Sequence, residues 1–457
     1  MGETRFSALA FSAAMTRPTS AYQDIAELRS LRSAAGIVRL PPGVDVPLTP
    51  RIKRLVDTRF FRHLASVSQL GLVSLVYPGA VHSRFEHSLG VYRNGLLVLE
   101  RLIEQADFRE LCSPADCEIF LIAALLHDVG HYPYAHLIED MRLPGLRRHE
   151  LLAADCLEDE AVRAILKRDF DIEPTAVLRL LSKDYRTAGE RLLGSMLSGP
   201  IDIDKLDYLD RDSMHAGVPY GRNFDVQRLI GQLCVDPDRQ RLAITQKATT
   251  AAEMMVFARY VMFREVYWHH AVRAATAMLQ RCFYDLDDKA EFQRRAAAMS
   301  DGRLQIELLD RLKGTSGGSI AEGLFGRERK LHKRLAQYDV LDRPELHAAL
   351  ARRPYPALAE IADDLGRRFA EAIGSEIAPG EILVDAPPAK LEVQFDVRVR
   401  QASGDYRELG EVSPVVRTLA TDQFDSIVKR VRVFAAPALL QRLRAVDVDA
   451  VVLAACG

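Results

Sequence analysis

Six cysteines in 457 residues, none in a Cys-x-x-Cys pair, deny this chain the spacing of a disulfide framework or a thiolate metal site. Cys112, Cys117, Cys156, Cys234, Cys282 and Cys456 therefore read as free thiols, and the chain as a cytoplasmic one. No apolar run approaches the ~18 residues of a membrane span, so no membrane partner is expected. The apolar patch at residues 6–15 is too short for a secretory leader, and Met15 could serve as the start as well as Met1. An excess of one charge is also missing. Lys+Arg 61 against Asp+Glu 63 gives −2, so no global basic field recruits nucleic acid. No stripe of aromatic and basic residues suggests a single-strand groove. Internal repeats and low-complexity blocks are absent.

What is present is an ordinary globular composition, 48% hydrophobic and 27% charged, enough for a sizeable core. A mainly α fold is expected, with helical patterns dominating from residue 51. Residues 83–105 carry apolar side chains near helical period. Residues 117–128 are almost wholly apolar until they end in His127-Asp128, where Val129-Gly130 breaks the helix. Residues 201–215 form an amphipathic stretch, residues 251–281 a long helical pattern, and residues 314–318 (Gly-Thr-Ser-Gly-Gly) a flexible loop. The basic run 327–334 reads either as a solvated helix or as a contact for an anion. Composition shifts near residue 374, where β-branched runs at 382–384 and 391–399 begin, and 413–444 mixes helix and strand. The expected division is an N-terminal extension (1–40), a helical domain (41–373) and a small α+β C-terminal region (374–457).

Chemistry concentrates at four places. A lone His87 reads more readily as a satisfied core histidine than as a ligand. His127-Asp128, ending an apolar helix, is more specific. A buried carboxylate needs a cationic partner, either an Arg or Lys or a metal ion. The stretch from His127 to His136 holds His127, His131 and His136, with His149-Glu150 soon after, a dense grouping when the chain has twelve histidines. Residues 202–212 are rich in charge; helical ion pairs explain much of it, but Ile201, Ile203, Leu206 and Leu209 bury part of the segment and allow one carboxylate to face inward. Imidazoles with hard carboxylates suit a hydrolytic divalent ion such as Mn, Fe, Mg, Co or Zn. Such an ion activates water and polarises a phosphoryl oxygen.

The segments Arg84-Phe-Glu-His87-Ser-Leu-Gly-Val, His127-Asp128-Val-Gly-His131 and Ile201-Asp-Ile-Asp204-Lys205-Leu-Asp-Tyr208-Leu-Asp-Arg-Asp212 resemble those of the HD-domain phosphohydrolases, and more narrowly their deoxynucleotide triphosphohydrolase branch. The likeness runs from about residue 37 to 281, and more loosely beyond. No SAM domain is visible. The resemblance implies a helical HD fold with one divalent metal held by His87, His127, Asp128 and Asp204. It implies hydrolysis of a dNTP to deoxynucleoside and triphosphate, with His131, His136 and His149 lining the α-phosphate as catalytic groups. Protonated imidazoles there would stabilise the leaving oxygen or relay a proton. Arg84, Lys205 and Arg259 would meet the triphosphate; Gln69 and Asp212 would bond the 3′-hydroxyl, with Tyr208 on the ribose, Leu70 crowding a 2′-hydroxyl and Tyr267 beside the base. A homo-oligomer, dimer or tetramer, and a nucleotide effector are implied as well. The chain departs from the family's guanine-nucleotide contacts: Asp57 is kept, but Arg62 and Ala65 replace the usual Gln and Arg. Arg329 and Lys333 match basic residues that reach an effector. Phe263 replaces a His near the base. Two other readings stand beside this one: a phosphodiesterase or nuclease using the same ligands, and a nucleotide-binding regulatory protein.

Overall fold

The computed structural model describes residues 17–33, 36–387, 396–419 and 428–456. The fold is mainly α. At its centre, α1 (Arg84–Ile103) packs against α2 (Pro114–Leu126) and α4 (Ile203–Ala216), with α3 (His149–Leu157) alongside the turn that follows α2. Each central helix starts on a sequence signal. Ser83 caps α1 by accepting from the Glu86 amide. Ser113 and Asp116 form a capping box ahead of α2, with Pro114 in its first turn. Asp202 caps α4, which ends in left-handed Gly217. The apolar run in α2 is buried on every side from Phe120 to Leu126, as expected of a core helix.

Residues 251–281 do not form one helix. α5 (Thr249–Met262) passes into a π turn, Phe263–Tyr267, and α6 (His270–Tyr284) restarts with His269 accepting from the Ala271 amide. Apolar periodicity runs on through the break, so the pattern concealed it. Residues 314–318 are not an open loop either. α7 (Ser316–Phe325) takes in Gly317 and Gly318, because packing against α6 outweighs the poor helix propensity of glycine.

Nine strands occur among the described residues. β1 (Ile37–Leu40) and β2 (Val44–Pro47) form a hairpin. The second sheet has the order β3 (Leu233–Asp236), β4 (Arg241–Thr245), β7 (Arg398–Arg400), β8 (Tyr406–Glu408), with β4 and β7 parallel. The third is antiparallel, β5 (Lys333–Tyr338), β9 (Val431–Ala435), β6 (Ile382–Asp385). The basic run 327–334 thus leads into an edge strand rather than a helix. The strand signal at 382–384 coincides with β6; that at 391–399 lies partly outside the described residues, and residues 420–427 of the 413–444 segment lie outside them altogether. Both C-terminal sheets recruit strands from before residue 374: β5 joins β9 and β6, and β4 joins β7. Phe369 of α8 (Tyr355–Ile373) packs with Tyr338, Leu346, Leu350, Val431 and Leu443 in a small lobe core. Among the described residues no helix is long and apolar enough to cross a membrane.

Candidate metal centre and adjoining cavity

His87 sits in the first turn of α1, His127 caps the end of α2, and Asp204 begins α4, so three helix ends converge. Their ligand atoms lie within 4.8 Å of one another. The protons on the two imidazoles are fixed from behind. His87 Nδ1 lies 2.8 Å from Asp207 Oδ2 and His127 Nδ1 3.0 Å from the Ala124 carbonyl, so each Nδ1 carries the hydrogen and donates. Both Nε2 atoms then present lone pairs, yet they face one another at 3.3 Å, with Asp204 Oδ1 3.0 Å from the first. Three acceptors converging without a donor is a cation-binding arrangement, and these residues fit a divalent ion. In the absence of such an ion a proton can take its place: burial opposes it, but hydrogen bonds and charge from Asp204 and Asp207 raise His87 to about 10.

Asp207 was not foreseen as part of the site, although it lies one turn beyond Asp204. Burial opposes its ionisation, but Arg211 and His87 bring it down to about 2. It is therefore a permanent carboxylate behind His87. A Cβ on Gly90 would overlap the Asp207 carboxylate and the Arg211 guanidinium, so glycine is what lets α4 approach α1 here. Asp207→Asn should weaken divalent-ion affinity by roughly 10- to 100-fold, the usual effect of losing an outer partner of a ligating histidine. Isothermal titration with Mn would measure it, and unchanged affinity would remove Asp207 from the site.

Asp128 stands at the edge of this group. Its Oδ1 is 3.4 Å from His127 Nε2 and 3.1 Å from His131 Nδ1, while Oδ2 accepts from Arg84 Nη1 at 2.6 Å. The cationic partner that a buried Asp128 requires is thus Arg84, from another helix. Burial opposes charge on Asp128, but His131, His127 and Arg84 hold it well below the usual carboxylate range. Gly130 lets α3 close over the turn, since a Cβ would strike the backbone of His149 and Ala153. His149 thereby comes into ring contact with His131, at 3.8 Å between centroids, and with His136 at 5.0 Å. Glu139 accepts from His149 Nδ1 at 2.9 Å. His131 Nε2 faces His136 Nε2 at 3.2 Å. Burial and Arg84 push His131 well below the ordinary histidine range, which disfavours its protonated form. His136 is exposed.

A cavity of about 350 Å³ opens beside the histidines, within the usual range for a small-molecule site. Gln69, Leu70, Arg84, Tyr208, Asp212 and Tyr267 line it, together with His136. Asp212 Oδ2 accepts from the Tyr267 hydroxyl at 2.6 Å. Two of the expected triphosphate contacts lie outside the lining. Lys205 Nζ is held at the start of its own helix by Asp202, at 2.6 Å, and the Gly199 carbonyl. Arg259 lies over the Phe263 ring, 5.5 Å from its centroid. Trp268, Arg273 and Asp140 also line the cavity; Trp268 follows the π turn at the α5–α6 break, and Arg273 stands in the first turn of α6. At the effector positions Asp57 pairs with Lys53, Arg62 lies 5.0 Å over Phe85, and Arg329 donates to the Leu75 carbonyl.

Residues 84–212 match the family described as HD domain, and residues 224–454 the HD associated region. An uncharacterized protein of Bacillus subtilis is 32% identical over 231 residues, 50% of this chain and 51% of its own. The chain thus spans about half the length of that relative. An uncharacterized protein of Methanocaldococcus jannaschii is 28% identical over 379 residues, 82% of this chain and 74% of its own. The deoxynucleoside triphosphate triphosphohydrolase SAMHD1 of Gallus gallus is 27% identical over 430 residues, 85% of this chain and 67% of its own. Among solved structures, a hypothetical protein from Aquifex aeolicus superimposes with a TM-score of 0.68 at 26% identity, covering 90% of this chain and 98% of its own. A phosphohydrolase from Bacteroides thetaiotaomicron shares the fold at 0.64 and 20% identity, covering 88% of this chain and 99% of its own.

Proposed function

For a chain that belongs to the HD domain family and carries its HD associated region, we propose hydrolysis of a deoxynucleoside triphosphate to deoxynucleoside and inorganic triphosphate, with water adding at the α-phosphorus. Membership of the HD domain family supports phosphoester hydrolysis as the class of reaction, and the nucleotide substrate is the narrower part of the proposal. The observation that carries it is the junction of two features. The acceptor triad His87, His127 and Asp204 adjoins a cavity walled by Gln69, Leu70, Tyr208, Asp212 and Tyr267.

His87, His127 and Asp204, with Asp128 as a fourth ligand, would hold a divalent ion, which would supply Lewis acidity and activate water. Around it the chain's own groups divide the work. Gln69 and Asp212 bond a sugar hydroxyl, Tyr208 packs on the ring, and Leu70 disfavours a 2′-hydroxyl. Tyr267 stays protonated, raised well above the ordinary tyrosine range by burial and by Asp212, and so keeps its bond to Asp212 while its ring lies beside the base. Arg84 neutralises Asp128 and, at the cavity wall, offers its remaining donors to a phosphate. Lys205 and Arg259 serve the triphosphate after turning from their present partners. His136, exposed beside the cavity, gives a proton to the departing 5′-oxygen, while His131 and His149 orient it. A homo-oligomer and a nucleotide effector belong to the same proposal.

Turnover of each dNTP and NTP with Mn, Mg or Co after chelation, alone and in mixtures, tests it by product chromatography. Deoxynucleoside and triphosphate are the expected products. Stepwise loss of phosphate would redirect the reading to another phosphoester, and mononucleotides released from an oligomer to a nuclease. Binding without turnover would indicate a regulatory protein.

A further inference from the structure

His82 lies outside the metal centre and outside the cavity lining, yet its side chain is fully buried, and its Nδ1 has no hydrogen-bond partner. Its Nε2 lies 3.0 Å from Asp212 Oδ1. With nothing to hold a proton on Nδ1, the hydrogen belongs on Nε2 and is donated to Asp212. The main-chain carbonyl of the same residue accepts from the Gln69 amide at 2.9 Å. One residue therefore ties down two groups that come from distant parts of the chain and meet at the cavity wall. The imidazole is itself held flat, stacked on His215 with centroids 4.3 Å apart and planes 17° from parallel. His215 Nε2 lies 3.0 Å from Glu86. Glu86 bonds Arg211, and Arg211 bonds Asp207 behind His87. Hydrogen bonds thus run from Asp207 to His215, and the His215–His82 ring stack joins them to the His82–Asp212 bond.

The Asp212 carboxylate is engaged from two sides, His82 on Oδ1 and the Tyr267 hydroxyl on Oδ2. Without His82 the carboxylate would keep one anchor and could rotate about its side-chain bonds, losing a fixed direction for its remaining lone pairs. Donors locked by buried partners hold an acceptor in place at no entropic cost when the ligand arrives.

We propose that His82 is a positioning residue that sets the Asp212 carboxylate for hydrogen bonding to a sugar 3′-hydroxyl, and so fixes discrimination at the 3′ position. The inference rests on the deoxynucleotide reading above.

The test compares turnover of a 2′-deoxynucleoside triphosphate with that of its 2′,3′-dideoxy analogue, reading kcat and KM separately. Wild-type protein should favour the 3′-hydroxyl substrate by roughly a hundred-fold or more, as sites that pair a substrate hydroxyl do. His82→Phe keeps a flat ring against His215 and the main-chain bond to Gln69, and removes only the donor. It should bring the ratio below about ten, by losing turnover of the 3′-hydroxyl substrate and not of the analogue. His82→Gln places an amide donor near the former Nε2 and should restore much of the ratio. If the phenyl ring prevents folding, His82→Asn, too short to reach Asp212, replaces it. Lost discrimination with retained melting temperature supports the inference, and retained discrimination in a folded His82→Phe or His82→Asn protein overturns it alone. Wild-type protein that treats the two nucleotides alike, or turns over neither, overturns the sugar-clamp reading and this inference with it.

Discussion

His127→Ala should reduce hydrolysis by roughly a thousand-fold, the effect of losing about 4 kcal/mol of charge stabilisation at the reacting phosphate. The imidazole contributes one of two lone pairs whose direction is set by a donor bond behind it, to Ala124 in its case. Alanine leaves His87 Nε2, Asp204 and Asp128, and of these Asp128 is already engaged by Arg84, so the remaining set holds an ion weakly. The fold should survive, because His127 lies at the end of α2 rather than within the apolar run. With His127 gone, His87 still sits between Asp204 and Asp207. The checks are turnover at saturating Mn, metal content after dialysis, and a melting curve compared with chelated wild-type protein. Turnover within tenfold of wild type would exclude His127 as a ligand. A loss of turnover accompanied by collapse of the fold would instead make it structural. The deficit should exceed that of Asp207→Asn, which leaves all proposed ligands in place.

The largest effect on stability is expected at Asp385→Ala, on β6. Arg273 donates to both oxygens of Asp385, by Nε at 3.0 Å and by Nη2 at 2.5 Å, with side-chain exposures of 6% and 1%. Arg432 on β9 lies 4.0 Å away on the same carboxylate and donates to the Trp268 carbonyl. Burial and the neighbouring arginines already lower Arg432 to about 10, despite the opposing pull of Asp385. Removing the carboxylate leaves two buried guanidinium groups facing each other, at a cost of roughly 3–5 kcal/mol. Denaturant unfolding reads this directly, and a loss under about 1 kcal/mol would mean the arginines find other partners. Asp385→Ala should also weaken substrate turnover, because Arg273 stacks on Trp268, 4.1 Å from its ring, and both line the cavity. The small lobe thus bears on the candidate site through this ion cluster as well as through apolar packing of Leu383 and Phe434.

Much of the central architecture was legible beforehand, because local chemistry specifies it. The near-helical period of residues 83–105 and the amphipathic stretch 201–215 mark two of the central helices, and the apolar run of α2 ends at His127 where its pattern stops. The grouping of histidines between residues 127 and 149 survives folding, since a short turn and one following helix hold it together. Elements that depend on distant neighbours were read less well. The interruption between α5 and α6 leaves the apolar period intact, and a glycine-rich segment became α7 because α6 covers it. Strand β5 lies in a basic run that only its pairing with β9 explains.

The candidate site divides along the same line. The sequence by itself determined which groups could ligate a metal and the family to which the chain belongs, because those depend on residue type and order within short motifs. Only the tertiary structure decided that Arg84 meets Asp128, that Asp207 fixes the tautomer of His87, and that His82 holds Asp212. Each of these pairs a charge or a proton across helices that are far apart or out of phase along the chain. Whether a buried carboxylate finds an arginine, a histidine or an ion depends on distances of a few ångströms, and these are set by how α1, α2 and α4 pack, down to the missing Cβ of Gly90.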